Sequence, residues 1–166
     1  MGRYRPPGPE SSPYITREGF DKLQSEACNL WSRRREVAQA LAAAAAEGDR
    51  SENAEYIYRK KELRGIDRRI GYLQRRLPAL KVVDRVPADR EVIFFGAWVT
   101  LEDDAGNEIR YRIVGPDEFD ARRKWISMDA PLAQGLLKQR VGAEVVVAAP
   151  QGSARYLVLR VQYEPS

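Results

Sequence analysis

From Phe20 onward, apolar positions recur at alternating spacings of three and four: Phe20, Leu23, Ala27, Leu30, Arg34, Val37, Leu41 and Ala44. That period puts them on one stripe of a helix, a heptad seam able to pack against a partner helix along its length. Thr16, just upstream, is the expected N-cap. A second seam with the same alternation runs through Tyr56, Arg59, Leu63, Ile66, Ile70, Leu73, Leu77 and Leu80. Each seam has one charged interruption, Arg34 or Arg59. Between them lies only EGDRSENAEY, Glu47 to Tyr56, with four acidic residues and one arginine. So short a connection leaves no room for parallel helices, so the two predicted helices fold back antiparallel. Facing the seams sets Ala44 against Tyr56, Val37 against Leu63, Leu30 against Ile70 and Leu23 against Leu77, with the turn near residue 50. The first helix, from Phe20 to Asp49, would project roughly 45 Å. Pro78 is expected to bend or stop the second helix near Leu77, because it removes a hydrogen bond and clashes with the preceding turn.

Beyond the second seam the period changes. VIFFGAWVTL, EIRYRIV, KWISM, AEVVVAA and ARYLVLRVQY are rich in β-branched and aromatic residues, and DDAGN, GPDEFDARR and PQGS between them carry turn chemistry. PLAQGLLKQRVG predicts one short helix among the strands. The expected fold class is α+β: a flexible tail at 1–14, an antiparallel α-helical coiled-coil hairpin with an acidic tip at 15–82, a linker at 83–91, and a small α+β domain at 92–166. There is no repeat beyond the heptads. The isolated glycines of FFGAWV and VGPDEF have neither Walker nor dinucleotide-binding spacing.

Composition then narrows the chemistry. The 166 residues contain one cysteine and no histidine, which excludes an intramolecular disulfide, Ser-His-Asp and Cys-His catalysis, and the usual zinc sites. Cys28 beside the first seam is expected to be a small packed side chain. No apolar run approaches the ~20 residues that span a bilayer, and the start has no signal-peptide core, so a cytoplasmic protein is expected. The formal charge is +4. Its distribution says more than its size. RKKELRGIDRRIGYLQRR, Arg59 to Arg76, holds eight Lys/Arg against two Asp/Glu, so the rest of the chain is net acidic by about two charges. Lys60, Lys61, Arg64, Arg68 and Arg75 fall on one stripe of the second helix. Such a stripe is either a solvated face with intrahelical ion pairs or a track for nucleic-acid phosphates that reads no bases.

The acidic turn also has two readings. Asp49 can cap the second helix, with Glu52 three residues on completing a capping box and both favouring the positive dipole end. That account leaves Glu47 and Glu55 unexplained. Alternatively, Asp49 and Glu52 are a pair of hard oxygen donors for magnesium, weak alone but useful if another protein supplies the remaining ligands and the substrate. Two-metal phosphodiester hydrolysis would then be the chemistry. Spacing does not choose between the two.

A resemblance adds to this reading. GDRSENAEY followed by RKKELRGIDRRIGYL, with FFGAWVTLEDDAG, RYRIVG and SMDAPLAQGLL downstream, resembles the Gre family of bacterial transcript cleavage factors from about Tyr14 to the C-terminus. The resemblance implies that the hairpin enters the secondary channel of a backtracked bacterial RNA polymerase. There Asp49 and Glu52 would help hold a magnesium ion and position water, while the polymerase's own site hydrolyses the nascent RNA near its 3′ end. The protein would not be an enzyme alone, and a monomer with no membrane association is expected. The C-terminal domain would resemble the FKBP fold and dock on polymerase through Asp129, Pro131 and Leu132; residue by residue, Asp129 could equally be a helix N-cap with Pro131 in the first turn. Two other functions remain open. One is a polymerase-binding regulator that does not stimulate cleavage. The other is a peptidyl-prolyl isomerase whose pocket is lined by Trp98, Tyr111, Trp125 and Tyr156, although strand aromatics are mostly core.

Overall fold

The computed structural model describes residues 10–48 and 53–163, which fall into two compact units. One unit is residues 18–80; the other combines the segment up to Arg17 with the chain from Lys81 onward.

The first unit is a helical hairpin. Helix α1 spans Arg17–Ala45 and α2 spans Ala54–Arg76. All sixteen predicted seam positions are buried or half-buried, including the interruptions Arg34 and Arg59. Val37, Ile66 and Ile70 form a dry cluster flanked by Leu30 and Leu63, while Leu23, Ala44 and Leu73 are also buried. Burying each Val, Leu or Ile side chain is worth about 1.5–3 kcal/mol, so the seam is what holds the helices together.

Charges fix the register. Arg34 Nε donates to Asp67 at 2.6 Å, Arg69 donates through two nitrogens to Glu26 at 2.6 and 2.9 Å, and Arg33 Nη2 donates to Glu62 at 2.6 Å. These partners lie across the hairpin in the order that sets Leu30 against Ile70. Arg34, a defect in the apolar repeat, is therefore half of a cross-helix pair. Pro78 acts as expected: α2 ends at Arg76 and a 3₁₀ turn, Leu77–Ala79, follows. Cys28 does not. It is exposed, because one residue past a seam position is a 100° rotation around the helix.

The Glu62 carboxyl is held below its ordinary range chiefly by the hydrogen bond from Arg33; burial opposes this as the next largest effect, and the charges of Arg33 and Arg59 with the Arg59 hydrogen bond lower it further. A depressed carboxyl stabilises the fold above its unfolded pKa, and that contribution is lost as pH falls through the folded value. Glu62→Gln is therefore expected to shrink the drop in hairpin melting temperature between about pH 7 and about pH 3. Circular dichroism melts at the two pH values check this; an unchanged drop would mean that the pair adds nothing.

The second unit is built on a five-stranded sheet in the order β5-β4-β3-β7-β6, where β3 is Trp98–Asp103, β4 Glu108–Val114, β5 Trp125–Ser127, β6 Glu144–Ala149 and β7 Gly152–Gln162. All pairings are antiparallel except β4 with β5. One face carries Val99, Leu101, Ile113, Val145 and Val158, which pack with Ala133 and Leu136 of the short helix α3, Pro131–Leu136, and with Ile93 and Ala97. Tyr163 closes the edge of this core: its hydroxyl donates to Val92 O at 2.5 Å and accepts from Phe94 N at 2.8 Å.

A separate parallel pair joins β1, Tyr14–Ile15, to β2, Lys81–Val82. The segment from Ser12 to Ile15 thus departs from the tail expected to run to residue 14. Pro13 O accepts from Lys81 N at 2.7 Å, and Ile15 is fully buried. Glu118 ties this segment down by accepting from Thr16 N at 2.8 Å, from the Thr16 hydroxyl, and from Gly115 N at 3.0 Å. Gly115 is obligatory for packing, since a Cβ there would lie 2.0 Å from Tyr14 O. Gly115→Ala is expected to cost about 1–3 kcal/mol in a denaturant melt, the usual penalty of forcing atoms into a packed site. No loss would mean that β1 yields without resistance.

Candidate functional site at the hairpin turn

Helix α1 stops at Ala45, two residues before the acidic stretch begins. Ala46 N still bonds Ala42 O and Ala43 O, both at 3.2 Å, and Glu47 N reaches Ala44 O at 3.3 Å. Gly48 follows with φ +123°, a conformation that glycine alone adopts readily. Across the turn, α2 opens on Asn53, whose backbone is extended while Ile57 N already bonds its carbonyl. The Asn53 side chain has two partners: Oδ1 accepts from Tyr56 N at 3.1 Å, and Nδ2 donates to Ala44 O at 2.8 Å.

This corrects the capping reading of the acids. The N-cap of α2 is Asn53 and not Asp49, and three residues on stands Tyr56, which has no carboxylate to complete a box. Glu55, unexplained by the sequence, accepts from Arg59 Nε at 2.7 Å one turn on. Glu47 is exposed. Asp49 and Glu52 lie outside the described residues.

Behind the turn, Lys60, Lys61, Arg64, Arg68 and Arg75 are all exposed. Among the described residues none of the five has a carboxylate within ion-pair distance; of the α2 cations, Arg59 pairs with Glu55 and Glu62, and Arg69 with Glu26. Among the described residues, intrahelical ion pairs thus form at the seam arginine and not at the stripe, whose five side chains face solvent. Lys60 Nζ lies 5.8 Å over the Tyr56 ring, a contact that leaves the ammonium open to solvent. Exposed Ile57 and Tyr58 add apolar surface at the turn end of α2.

The candidate docking residues occupy the start of α3. Its N-cap is Ala130, with no side-chain bond, so Asp129 is not the cap. The Asp129 carboxylate accepts from Ser12 N at 3.0 Å and from the Ser12 hydroxyl at 2.5 Å. Pro131 sits in the first turn, as expected, and is exposed. Leu132 is half-buried and packs against the core cluster, so only part of its side chain faces outward.

The four aromatics considered for a proline pocket separate. Tyr111 and Tyr156 pack against the core cluster. Trp98 and Trp125 lie on the other face, each in register with Arg112. There Arg110 covers Trp98 at 4.3 Å, and Arg112 and Arg123 cover Trp125 at 4.8 and 3.7 Å. A sheet lies between the two pairs, so they cannot line one pocket.

Among the described residues, no cluster of three or more His, Cys, Asp or Glu side chains is placed to hold a metal ion, and no helix is long and apolar enough to cross a membrane. Sequence reasoning missed Asn53 and Glu118. The Asn in SENAE was a visible cap candidate, whereas nothing local marks Glu118.

Comparison with known proteins agrees with this layout. The profile of the transcription elongation factor N-terminal domain matches residues 13–82, and that of the GreA/GreB C-terminal domain matches residues 88–163. The chain is 57% identical over 165 residues to the transcription elongation factor GreB of Xanthomonas axonopodis pv. citri, covering 98% of each chain. It is 53% identical over 167 residues to GreB of Pseudomonas aeruginosa, covering 100% of this chain and 99% of that one. A solved structure, GreA factor homolog 1 (Gfh1) of Thermus thermophilus, is 24% identical, covers 90% of this chain and 97% of its own, and superposes with a TM-score of 0.41. The dense basic stripe and the FFGAWV segment favour the GreB branch over GreA, in agreement with the names of these relatives. The chain belongs to the GreA/GreB family of transcription elongation factors.

Proposed function

We propose that this protein acts on backtracked bacterial RNA polymerase, entering the secondary channel with its hairpin turn and stimulating hydrolysis of the nascent RNA. The observation that carries this reading is the exposed stripe of Lys60, Lys61, Arg64, Arg68 and Arg75 on α2, which forms no ion pair among the described residues and follows the acid-bearing turn in sequence. A backtracked transcript presents a phosphate chain ending at the catalytic centre. Five exposed cations with no carboxylate partner among the described residues suit the chain, and two carboxylates suit the centre.

Asp49 and Glu52 have the right chemistry for magnesium. They are hard oxygen donors, two of the six an octahedral site needs, and the α2 cap does not consume them because Asn53 fills it. Polymerase and RNA would supply the other donors. Magnesium held there would stabilise negative charge on the reacting phosphate oxygens. The chain's own contributions are narrower: the two carboxylates orient donors and water, and the stripe of Lys60, Lys61, Arg64, Arg68 and Arg75 holds the RNA backbone without reading sequence. The protein is then a cytoplasmic monomer that lends groups to another enzyme's site, with Asp129 and Pro131 part of its contact with polymerase.

Cleavage of 3′-labelled RNA in stalled, backtracked complexes with magnesium tests the proposal. Release of short 3′ fragments that depends on Asp49 and Glu52 is the expected result. Polymerase binding without stimulated cleavage would make the protein a non-cleaving regulator.

A further inference from the structure

We propose that the sheet face turned away from the core cluster is a nucleic-acid site in its own right, one that takes a single strand by its phosphates and does not depend on how the hairpin acts. Four arginines meet there. Across β5, β4, β3 and β7 the register sets Trp125, Arg112, Trp98 and Gln162 in one row, and Arg110, Thr100 and Arg160 in the row beside it. Arg123 joins them from the turn before β5, 3.7 Å over the Trp125 ring. Arg110, Arg123 and Arg160 are exposed and Arg112 is half-buried. The next row sets Glu102 against Glu108, and the basic area ends at those acids.

Two indoles hold three of the guanidiniums in place: Arg110 lies over Trp98, and Arg112 and Arg123 over Trp125. At 3.7 Å the Arg123 carbon is in van der Waals contact with the ring, so its plane lies flat on the indole. A stacked guanidinium keeps its rim of N–H donors for an anion, and being preorganised it loses less freedom on binding. Arg110 also donates to Gln162 Oε1 and Arg112 to Gly96 O, both at 3.3 Å. Among the described residues, Arg160 reaches the Glu108 carboxylate at 3.6 Å, while Arg110 and Arg112 have none within ion-pair distance. Covering indole needs only apolar stems and does not account for four like charges side by side.

A guanidinium fork suits a carboxylate as well as a phosphate. Spacing and stacking favour nucleic acid. Alternate residues of one strand lie about 6.5 Å apart and neighbouring strands about 4.8 Å, so the cations are spread as a set that a chain with one charge per nucleotide can follow. An unpaired base can also stack on the outward face of a guanidinium, which an acidic peptide does not do and a duplex, with its bases already stacked, does not offer. Trp125 is 4% exposed and closed to a base, so the contacts are to phosphate and guanidinium and base sequence should not matter.

The test starts from the full-length protein with the five stripe cations of α2 replaced by alanine, so that the hairpin does not mask the sheet. Its binding to labelled RNA and DNA single strands of about 12 nucleotides would be followed across a salt series. It is expected to bind both alike and a duplex more weakly. Adding Arg110→Gln and Arg112→Gln should flatten the slope of log affinity against log salt by about 1.4, two phosphates at about 0.7 each. Arg110→Lys with Arg112→Lys should keep the slope and weaken binding several-fold, since an ammonium has no planar fork. A thermal melt of each variant accompanies these measurements. A second readout leaves the face intact: the indole N–H resonances of Trp98 and Trp125 should shift as the single strand is added, while that of Trp31, exposed on α1, stays in place.

No binding by the starting protein, unmoved Trp98 and Trp125 resonances, or an unchanged slope in a folded glutamine variant would each overturn the proposal. Duplex bound as tightly as single strand would also overturn it. So would equal displacement of the strand by polyglutamate at matched charge, which would make the face a dock for an acidic protein segment.

Discussion

Asp49→Asn and Glu52→Gln are each expected to lower stimulated RNA cleavage by about two to three orders of magnitude, the usual loss when one preorganised charged or polar group is taken from a hydrolytic site. Both changes keep side-chain shape and remove only the charge, so loss of the proposed metal donor is the main consequence expected. The structure makes the test clean. Because Asn53 caps α2, neither acid is needed for that cap, and both variants should fold within about 0.5 kcal/mol of wild type. Polymerase competition should be nearly unchanged, since the proposed contact residues, Asp129 and Pro131, are not the ones changed. The measurement is the single-turnover cleavage rate of backtracked complexes, set beside a thermal melt of each variant. Full activity in either variant would remove that carboxylate from the chemistry.

The second large effect belongs to the basic face. Neutralising a cation that holds a phosphate removes about 0.7 from the slope of log affinity against log salt for a single strand. Replacing all five of Lys60, Lys61, Arg64, Arg68 and Arg75 by alanine should therefore flatten the slope by about 3.5, so that a fourfold rise in salt weakens the wild type about a hundredfold more than the variant. Alanine is the best helix former, and all five side chains are exposed, so the hairpin should survive the change. The readout is a salt titration of binding to a single-stranded RNA oligonucleotide. The base sequence of the RNA should not matter. An unchanged slope would return the stripe to a solvated face.

The hairpin was legible because its information is local and periodic. Every seam position is recovered, and even the two charged interruptions resolve into ion pairs, Arg34 with Asp67 and Arg59 with Glu55 and Glu62. Pro78 and the helix at Pro131 were legible for the same reason, since proline acts on its own turn. The cap was not. Asp49, Ser51, Glu52 and Asn53 offer several side-chain oxygens within one turn, and choosing among them requires knowing where helical backbone begins, which a pattern fixes only to within a few residues. The local-cap alternative for Asp129 fails for the opposite reason: it bonds Ser12, 117 positions away, and no local signal announces a partner so distant. The four aromatics were read as one group because composition does not say which face a strand residue takes. A one-residue shift in register reverses it, and pairing settled the matter.

The parallel pair of Tyr14–Ile15 with Lys81–Val82 bears on evolution and engineering. The chain leaves the sheet unit at one member of that pair and returns at the other, so everything between is formally an insertion into a fold closed without it. An antiparallel helix pair suits such a site because it brings its own two ends together, and the entropy of closing a loop grows only slowly with its length. Seven residues added to each helix would lengthen the hairpin by about 10 Å while keeping the seam nearly in phase. Arm length can thus change in heptad steps without any alteration to the sheet.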